Sequence, residues 1–468
     1  MEHIRFGNVA ALLALCAATV VASYGQTFTT LANFDGTNGA YPYFETLVQG
    51  RDGDLYGTTE NGGNVLYGTV FKIATDGHLT QLHRFRGTDG FHPYAGLALT
   101  NAGDFYGTTK QGGKHGYGSI FKITPGGTLT TVYNFCSKAH CADGGAPVEA
   151  LLQGSDGNLY GATGSGGSGY GGTLFKLTPS GTLTTLYSFP YPGGPSALIE
   201  ATDGSFCGTT EAGGDFEGGS VFKLTPSGEL TTLYSFCYQA TCIDGASPYG
   251  ALVQGADGNF YGTTNIGPGG FNGGGTVFQM TPDGTLTTLY NFSCSEGGCS
   301  PTAGLVLGTD GNLYGTAEQG GATFGGTIFQ ITPSGTLTTL HSFCAQSNCA
   351  DGGYPYGGLV QATDGDFYGT TSEGGANNDG TVFKLAMGLA PFVKTVPTAG
   401  KAGMAVTVLG TDLTGATSVT FNGTPAVFTV VKASEIATTV PAGAGTGVVT
   451  VVTPGGTLTS NVAFRMPQ

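Results

Sequence analysis

The chain has 468 residues, of which 31 are acidic and only 16 are Lys or Arg, giving a formal net charge of −15. That balance argues against nucleic acid and against anionic membrane surfaces as partners, since basic side chains supply most of the affinity for both. Eighty-six glycines, a charged fraction of 10% and no tryptophan describe a turn-rich all-β protein, and 29 Phe with 22 Tyr recurring in register are too many for a disordered chain.

Residues 1–25 read as a secretory signal peptide. Arg5 gives a short polar start, 9–22 is apolar, and Ser23 and Gly25 are small residues at the −3 and −1 positions of a cut before Gln26. The apolar run falls short of the ~20 residues that a membrane span needs. Leu15 stands where a lipoprotein site before Cys16 would need a small residue. The mature protein is therefore expected to be an exported monomer, secreted or at the cell surface, with no membrane insertion after cleavage.

Residues 26–385 consist of one unit repeated seven times. The tract Asp156-Gly157-Asn158-Leu159-Tyr160-Gly161 recurs from Asp52, Ala102, Asp203, Asp257, Asp310 and Asp364, at intervals of about 50 residues. A short apolar run such as Ala251-Leu252-Val253-Gln254 precedes it. A tract such as Gly219-Ser220-Val221-Phe222-Lys223-Leu224 follows, then a Thr-Pro-Ser-Gly turn and a tract such as Leu230-Thr231-Thr232-Leu233-Tyr234-Ser235-Phe236. These make four strands per unit. The seventh copy stops at Leu385 without its last strand, and the missing tract, Thr27 to Phe34, opens the mature chain. A ring buries both chain ends by letting one blade take strands from each terminus, which also removes the exposed sheet edge. The expected fold is a seven-bladed β-propeller, with Thr27–Phe34 pairing against Gly380–Leu385.

Residues 386–390 read as a linker. From 391 to the end at 468, alternating strands at Ala405–Leu409, Ser418–Phe421, Ala426–Val430 and Gly447–Val452 indicate a small immunoglobulin-like β-sandwich. Asn422-Gly423 marks a two-residue hairpin within it.

Ten cysteines comprise Cys16, Cys207 and four pairs of equal spacing: Cys136/Cys141, Cys237/Cys242, Cys294/Cys299 and Cys344/Cys349. Each pair follows the Tyr-x-Phe end of a different repeat, too far from the others to share a tetrahedral ion. In an exported chain they read as local disulfides, and they fall in the longer inter-repeat loops. Cys207 occupies the Tyr position of its repeat and reads as a buried, inert thiol.

No nucleophile–base constellation emerges from the sequence: there is no Gly-x-Ser-x-Gly elbow and no paired-histidine metal motif. The repeated Asp residues read as turn formers, and no cofactor or metal is expected. His83 and His341 stand in the slot held elsewhere by Tyr133, Tyr187, Tyr234 and Tyr290, and read as packed substitutes for it. His115 and His140 lie in polar loops. The informative signal is where the repeats vary. The Asp-Gly and Thr-Pro-Ser-Gly turns are short and uniform and share one face. The other face carries the stapled loops, the loops after Gly-Thr-Thr and the Pro-Tyr lead-ins to the first strands. Its candidate binding residues are Tyr43, Tyr94, Tyr249 and Tyr356 with Glu60, Glu211, Glu318 and Glu373, on the argument that function concentrates on loops held by a rigid scaffold.

Two resemblances extend this reading. Pro397-Thr398-Ala399-Gly400, the tract from Val408 to Leu413, Val440-Pro441-Ala442-Gly443 and the tract from Val451 to Gly456 resemble an IPT/TIG domain, which implies a spacer or protein-interaction module. The propeller repeats resemble the GloVer-type tandem repeat of exported bacterial proteins, which implies the fold but assigns chemistry to no residue. The expected function is binding of an extracellular polymer, such as a polysaccharide, or of a surface protein. The alternatives are a cation-dependent lyase or hydrolase acting on a glycan-like substrate at the propeller opening, and a structural or adhesive envelope component.

Overall fold

The computed structural model describes residues 25–466 apart from 45, 64–65, 239, 269, 271–272 and 295–296. The signal peptide read at residues 1–25, Cys16 included, lies outside the described residues except for Gly25. Among the described residues the protein is almost wholly β, with three single-turn 3-10 segments.

Each copy of the repeat makes one four-stranded antiparallel sheet. In the first, Val48–Gln49, Leu55–Thr59, Thr69–Ile73 and Leu79–Arg84 pair in chain order. Residues 27–386 form seven such sheets, built like propeller blades. The second strand, as at Leu159–Thr163, is buried on both faces. Its lead-in turn has Gly157 at φ +81°, a conformation that glycine adopts without strain. Asp156 accepts a hydrogen bond from the Asn158 amide at 3.0 Å and another from the Tyr160 hydroxyl at 2.8 Å. One carboxylate thus shapes the turn and satisfies a buried phenol, and the same Tyr–Asp bond recurs at Tyr56, Tyr261, Tyr314 and Tyr368.

Neighbouring sheets interlock through a repeated aromatic contact. The Phe ending the fourth strand of one sheet meets the third-strand Phe of the next edge-on, as in Phe85–Phe121 and Phe236–Phe278, both 5.2 Å between centroids. A second tie runs from the Gln closing a first strand to the turn of the preceding sheet: Gln153 to the Asn101 amide, Gln254 to Thr202 and Gln361 to Thr309.

The seventh sheet takes its fourth strand from the N-terminus, as the sequence predicts. Thr27–Asn33 lies antiparallel to Thr381–Ala386, with Phe28 opposite Leu385 and Asn33 opposite Thr381. Between the seventh sheet and the first, the repeated contacts recur. Phe34 meets Phe71 at 5.2 Å, and Gln49 accepts from the Thr363 amide at 3.0 Å. Phe34, Leu47, Leu55 and Phe71 share one core cluster with Ala362, Tyr368 and Val382.

The cysteines pair as Cys136–Cys141, Cys237–Cys242, Cys294–Cys299 and Cys344–Cys349, each disulfide within its own loop. Within these loops Cys141, Cys242 and Cys349 close the 3-10 turns Ala139–Cys141, Ala240–Cys242 and Ser347–Cys349. Cys299 makes a short antiparallel bridge to Gln319. The physical reason is backbone hydrogen bonding close to the bridge. The Cys141 amide donates to the Lys138 carbonyl at 3.1 Å and the Cys349 amide to the Gln346 carbonyl at 3.0 Å, while Cys299 exchanges its bonds with Gln319 instead. Cys207 is a buried thiol pushed up to about 11 by burial. In four repeats the Tyr/His slot bonds an Asp in the following loop. Tyr133 and Tyr234 donate to Asp143 and Asp244 at 2.7 and 2.9 Å, and the His83 and His341 rings meet Asp89 and Asp351 at 2.9 and 3.2 Å.

The C-terminal segment is a sandwich of two four-stranded sheets around Val406, Val408, Val419, Phe421, Ile436, Val449 and Val451. Asn422 and Gly423, at φ +46° and +81°, make the expected hairpin turn. The segment read as a linker is held down: Met387 and Leu389 pack on the core between the last two repeat sheets. The sandwich itself sits on the face of short, uniform turns. Arg51 bonds Glu435 at 3.2 Å, Arg465 bonds Glu200 at 3.0 Å and the Ala201 carbonyl at 2.7 Å, and Ser434 donates to the Arg51 carbonyl at 2.6 Å. Lys394 donates to the Gln361 carbonyl. The face that looks featureless in sequence is a docking platform, because low, regular turns let a second domain approach closely.

Deleting residues 26–35 removes Phe28, Phe34 and a whole strand, leaving Thr381–Ala386 as a bare edge. The expected loss exceeds about 5 kcal/mol, comparable with a domain's entire stability. Size-exclusion chromatography should show aggregation; a monomer melting near the parent would contradict this.

A pH effect follows from His341, whose ring stacks on Phe28 at 3.7 Å. Burial holds its imidazole below the ordinary value, and Asp351 opposes this only in part. The unfolded imidazole takes up a proton first as pH falls below about 6.5, so stability present above that pH is lost below it. His341→Tyr, the residue of the other repeats, should melt within about 1 kcal/mol of the parent at neutral pH and lose less stability on acidification. Parallel melting curves across the acid range check this.

Candidate binding site at the loop-bearing opening

The lead-ins of all seven first strands line a single cavity of about 240 Å³, with Phe44, Gly96, Glu149, Ala197, Tyr249, Thr302 and Tyr356 each contributed by a different repeat. Position two after the lead-in Pro is small in most repeats (Ala95, Ala197, Gly250, Ala303 and Gly357), which opens the centre. Two repeats depart from this. The first has Phe44 and the third has Glu149.

The loops around this opening belong to one face. The stretch before each lead-in Pro pairs with the loop after Gly-Thr-Thr of the same repeat through short bridges such as Ala40↔Asn61, Phe91↔Gln111 and Gly353↔Glu373. The structure brings together all four predicted tyrosines. Tyr43 lies 4.5 Å from Tyr356 and 6.3 Å from Tyr94, while Phe44 lies 5.0 Å from Tyr94, 5.6 Å from Tyr356 and 6.3 Å from Tyr249. Phe44 therefore joins rings from repeats that are not neighbours. It stands in a lead-in one residue longer than the others and at φ +38°. In five other repeats the second-strand Thr or its counterpart donates to the carbonyl at this position of the next repeat, for example Thr316 to Gly357 at 2.9 Å. Thr370, facing the altered segment, is left with a buried hydroxyl that has no partner. The longer lead-in thus trades a hydrogen bond for a ring in the opening.

The predicted glutamates fall into two groups. Glu60, Glu211 and Glu318 directly follow their second strands, and each lies beside the tyrosine of the next repeat. Glu211 accepts from the Tyr249 hydroxyl, Glu318 is hydrogen-bonded to Tyr356, and the Glu60 charge helps to raise the Tyr94 phenol. Glu373 stands one position further on, its backbone engaged with Gly353, and influences Tyr43 only as a nearby charge. Burial raises the phenols of Tyr43, Tyr94, Tyr249 and Tyr356 above their ordinary value, with these carboxylates adding to the effect. Burial likewise raises the Glu60 carboxyl, opposed by His92 at 3.9 Å and by Lys110.

Beside the aromatic cluster a larger cavity of about 460 Å³ opens between the second and fifth repeats. Its walls include Tyr94, Tyr249, Tyr170 and Tyr191, the last two 68% and 81% exposed and so available to a ligand. Lys110 sits 4.0 Å above the Tyr94 ring. Glu149 and Glu211 supply its carboxylates. Glu149, Tyr170 and Tyr191 are absent from the sequence-derived set. Glu149 was findable as the acidic residue in a slot that is otherwise mostly Gly or Ala; Tyr170 and Tyr191 carry no such signal. The disulfides stand back from both cavities: neither Cys136, Cys237, Cys294 and Cys344 nor their partners Cys141, Cys242, Cys299 and Cys349 form part of a wall. They hold the loops that frame the opening and do not line it. His115 and His140 are exposed and do not line the larger cavity. Among the described residues, no group of three or more His, Cys, Asp or Glu side chains converges as a metal site.

The Gloeobacter/Verrucomicrobia repeat model matches residues 19–195 and 194–425, and the IPT/TIG domain model matches 391–466. No curated protein matches the chain. Similar solved structures include a streptogramin B lyase (18% identity over 77% of this chain and 97% of that one, TM-score 0.52). Virginiamycin B lyase from Staphylococcus aureus matches at 17% identity over 77% and 99%, with a TM-score of 0.52. PorZ, a surface component of the type-IX secretion system of Porphyromonas gingivalis, matches at 16% identity over 93% and 61%, with a TM-score of 0.50. Likenesses at these identities establish a shared fold and carry no chemistry across.

The raised phenols predict an alkaline signature. An unfolded tyrosine ionises near pH 10, so tyrosinate absorbance of the folded protein should lag that of the unfolded chain above that pH. Tyr249→Phe should shrink the lag by about one tyrosine. An unchanged titration curve would show that Tyr249 is solvated like a free phenol.

Proposed function

We propose that this chain, which belongs to the Gloeobacter/Verrucomicrobia repeat family and carries an IPT/TIG domain, is an exported seven-bladed propeller whose loop-bearing face binds an extracellular polysaccharide. Closure into a ring is supported by the seam between the seventh and first sheets, where the Phe–Phe contact, the Gln tie and the shared core follow the same rule as elsewhere. Export is supported by the four disulfides and the leader-like sequence at residues 1–25. No helix among the described residues is long and apolar enough to cross a membrane.

The observation that carries the binding reading is the convergence of Tyr43, Phe44, Tyr94, Tyr249 and Tyr356 at one opening, next to a cavity with exposed Tyr170 and Tyr191 on its walls. Flat rings of this kind give a sugar ring a stacking surface at small entropic cost. Glutamates hydrogen-bonded to two of the phenols fix the ring positions before any ligand arrives. The IPT/TIG sandwich, docked on the opposite face, leaves the loop face open and gives the propeller a handle toward other parts of the envelope.

One observation favours a lyase or hydrolase acting at the same opening. Burial raises the Glu149 carboxyl well above the ordinary range, as in a group that donates a proton to a leaving oxygen. Product release from a bound glycan by the parent, lost in Glu149→Gln with binding retained, would establish that reading instead.

A glycan array probed with the mature protein tests the binding reading. Tyr249→Ala and Tyr356→Ala should each weaken capture roughly fivefold, about 1 kcal/mol per stacking contact, without altering the melting profile greatly. Ser180→Ala and Ser334→Ala, in the short turns of the other face, should change nothing. Equal losses from both faces, or losses explained by unfolding, would remove the tyrosines from any binding role.

A further inference from the structure

We infer that the sugar recognised at this face carries a free amino group, whose ammonium is held by Glu149 inside the aromatic cavity. This rests on the polysaccharide reading above and specifies its chemistry. Glu149 occupies a position where five of the seven repeats place Ala or Gly, so nothing in the architecture of the repeat calls for a carboxylate there. It projects from the first-strand lead-in into the space shared by the central opening and the larger cavity. Its backbone carbonyl accepts from Thr108, but no hydrogen bond or ion pair to another described residue reaches its carboxylate. Desolvation acts on that carboxyl without a compensating partner. Glu149 is half-buried, and a partly desolvated carboxylate that lines the cavity without a partner gains from an ammonium brought alongside.

One wall of the cavity already carries a cation on an aromatic face: the Lys110 ammonium lies 4.0 Å above the Tyr94 ring. Tyr249, bonded to Glu211, lines the cavity with Tyr170 and Tyr191. An amino sugar can place its ring on these aromatic surfaces and its ammonium toward Glu149. A neutral or N-acetylated sugar can use the rings but leaves Glu149 unpaired. At about 460 Å³ the cavity is of the size that holds a small ligand.

The test compares glucosamine and N-acetylglucosamine oligomers of equal length by calorimetry, on the parent, Glu149→Gln and Glu149→Ala. The parent should bind the glucosamine oligomer at least about tenfold more tightly, a margin typical of a charge-assisted contact. Both variants should lose that preference while keeping affinity for the acetylated oligomer. Glu149→Ala restores the residue type of the neighbouring repeats, so it should fold, and melting curves confirm this. Equal binding of the two oligomers by the parent, or a preference that survives in both variants, overturns the inference and leaves the polysaccharide reading standing. Failure of the parent to bind either oligomer overturns the inference, while capture of other glycans on the array would retain the broader reading. Failure on every glycan removes both.

Discussion

A glycine lying under a phenylalanine ring is the contact on which the repeat depends. In the Tyr-Gly-Thr stretch of the second strand, the ring of the third-strand Phe crosses the glycine so closely that an added Cβ would fall 2.4 Å from Phe121 at Gly107 and 2.6 Å from Phe175, Phe222, Phe278, Phe329 and Phe383 at the corresponding glycines. Any larger residue would push the ring out of its sheet. The same rings meet the Phe at the end of the preceding sheet, so this local clearance fixes how neighbouring sheets pack. Small residues inside each sheet and large ones between sheets let a glycine-rich chain with no tryptophan build a continuous aromatic layer.

The regularity also makes departures from it informative. Each carries a structural cost. The longer lead-in at Phe44 leaves the Thr370 hydroxyl buried without a partner, and Glu149 puts a desolvated carboxyl where Ala or Gly would serve. Both departures face the same opening.

The two faces of the propeller differ for a simple geometric reason. Turns after the first and third strands are short and uniform, so their face is low and takes a second domain through Arg51, Glu200, Ser434, Glu435 and Arg465. Loops on the other face differ in length and carry the disulfides, which hold them without the support of a neighbouring domain. The loop face is held from below by the sheets and stapled at the rim.

The repeat, its four strands, the N-terminal strand that completes the last sheet and the local disulfides were all legible in the sequence, because each depends on residues close together in a unit repeated often enough to show its register. The Tyr43, Tyr94, Tyr249 and Tyr356 set was legible for the same reason. Pairings between repeats were not. That Glu211 and Glu318 bond the tyrosine of the following repeat, that Phe44 reaches rings from three other repeats, and that the IPT/TIG sandwich rests on the plain face all depend on side chains more than thirty residues apart being brought together. Glu149 lies between these cases. The sequence displays its oddity, but only the tertiary structure places it in a cavity with tyrosines from other repeats, because burial and charge pairing are properties of the assembled opening and not of any one strand.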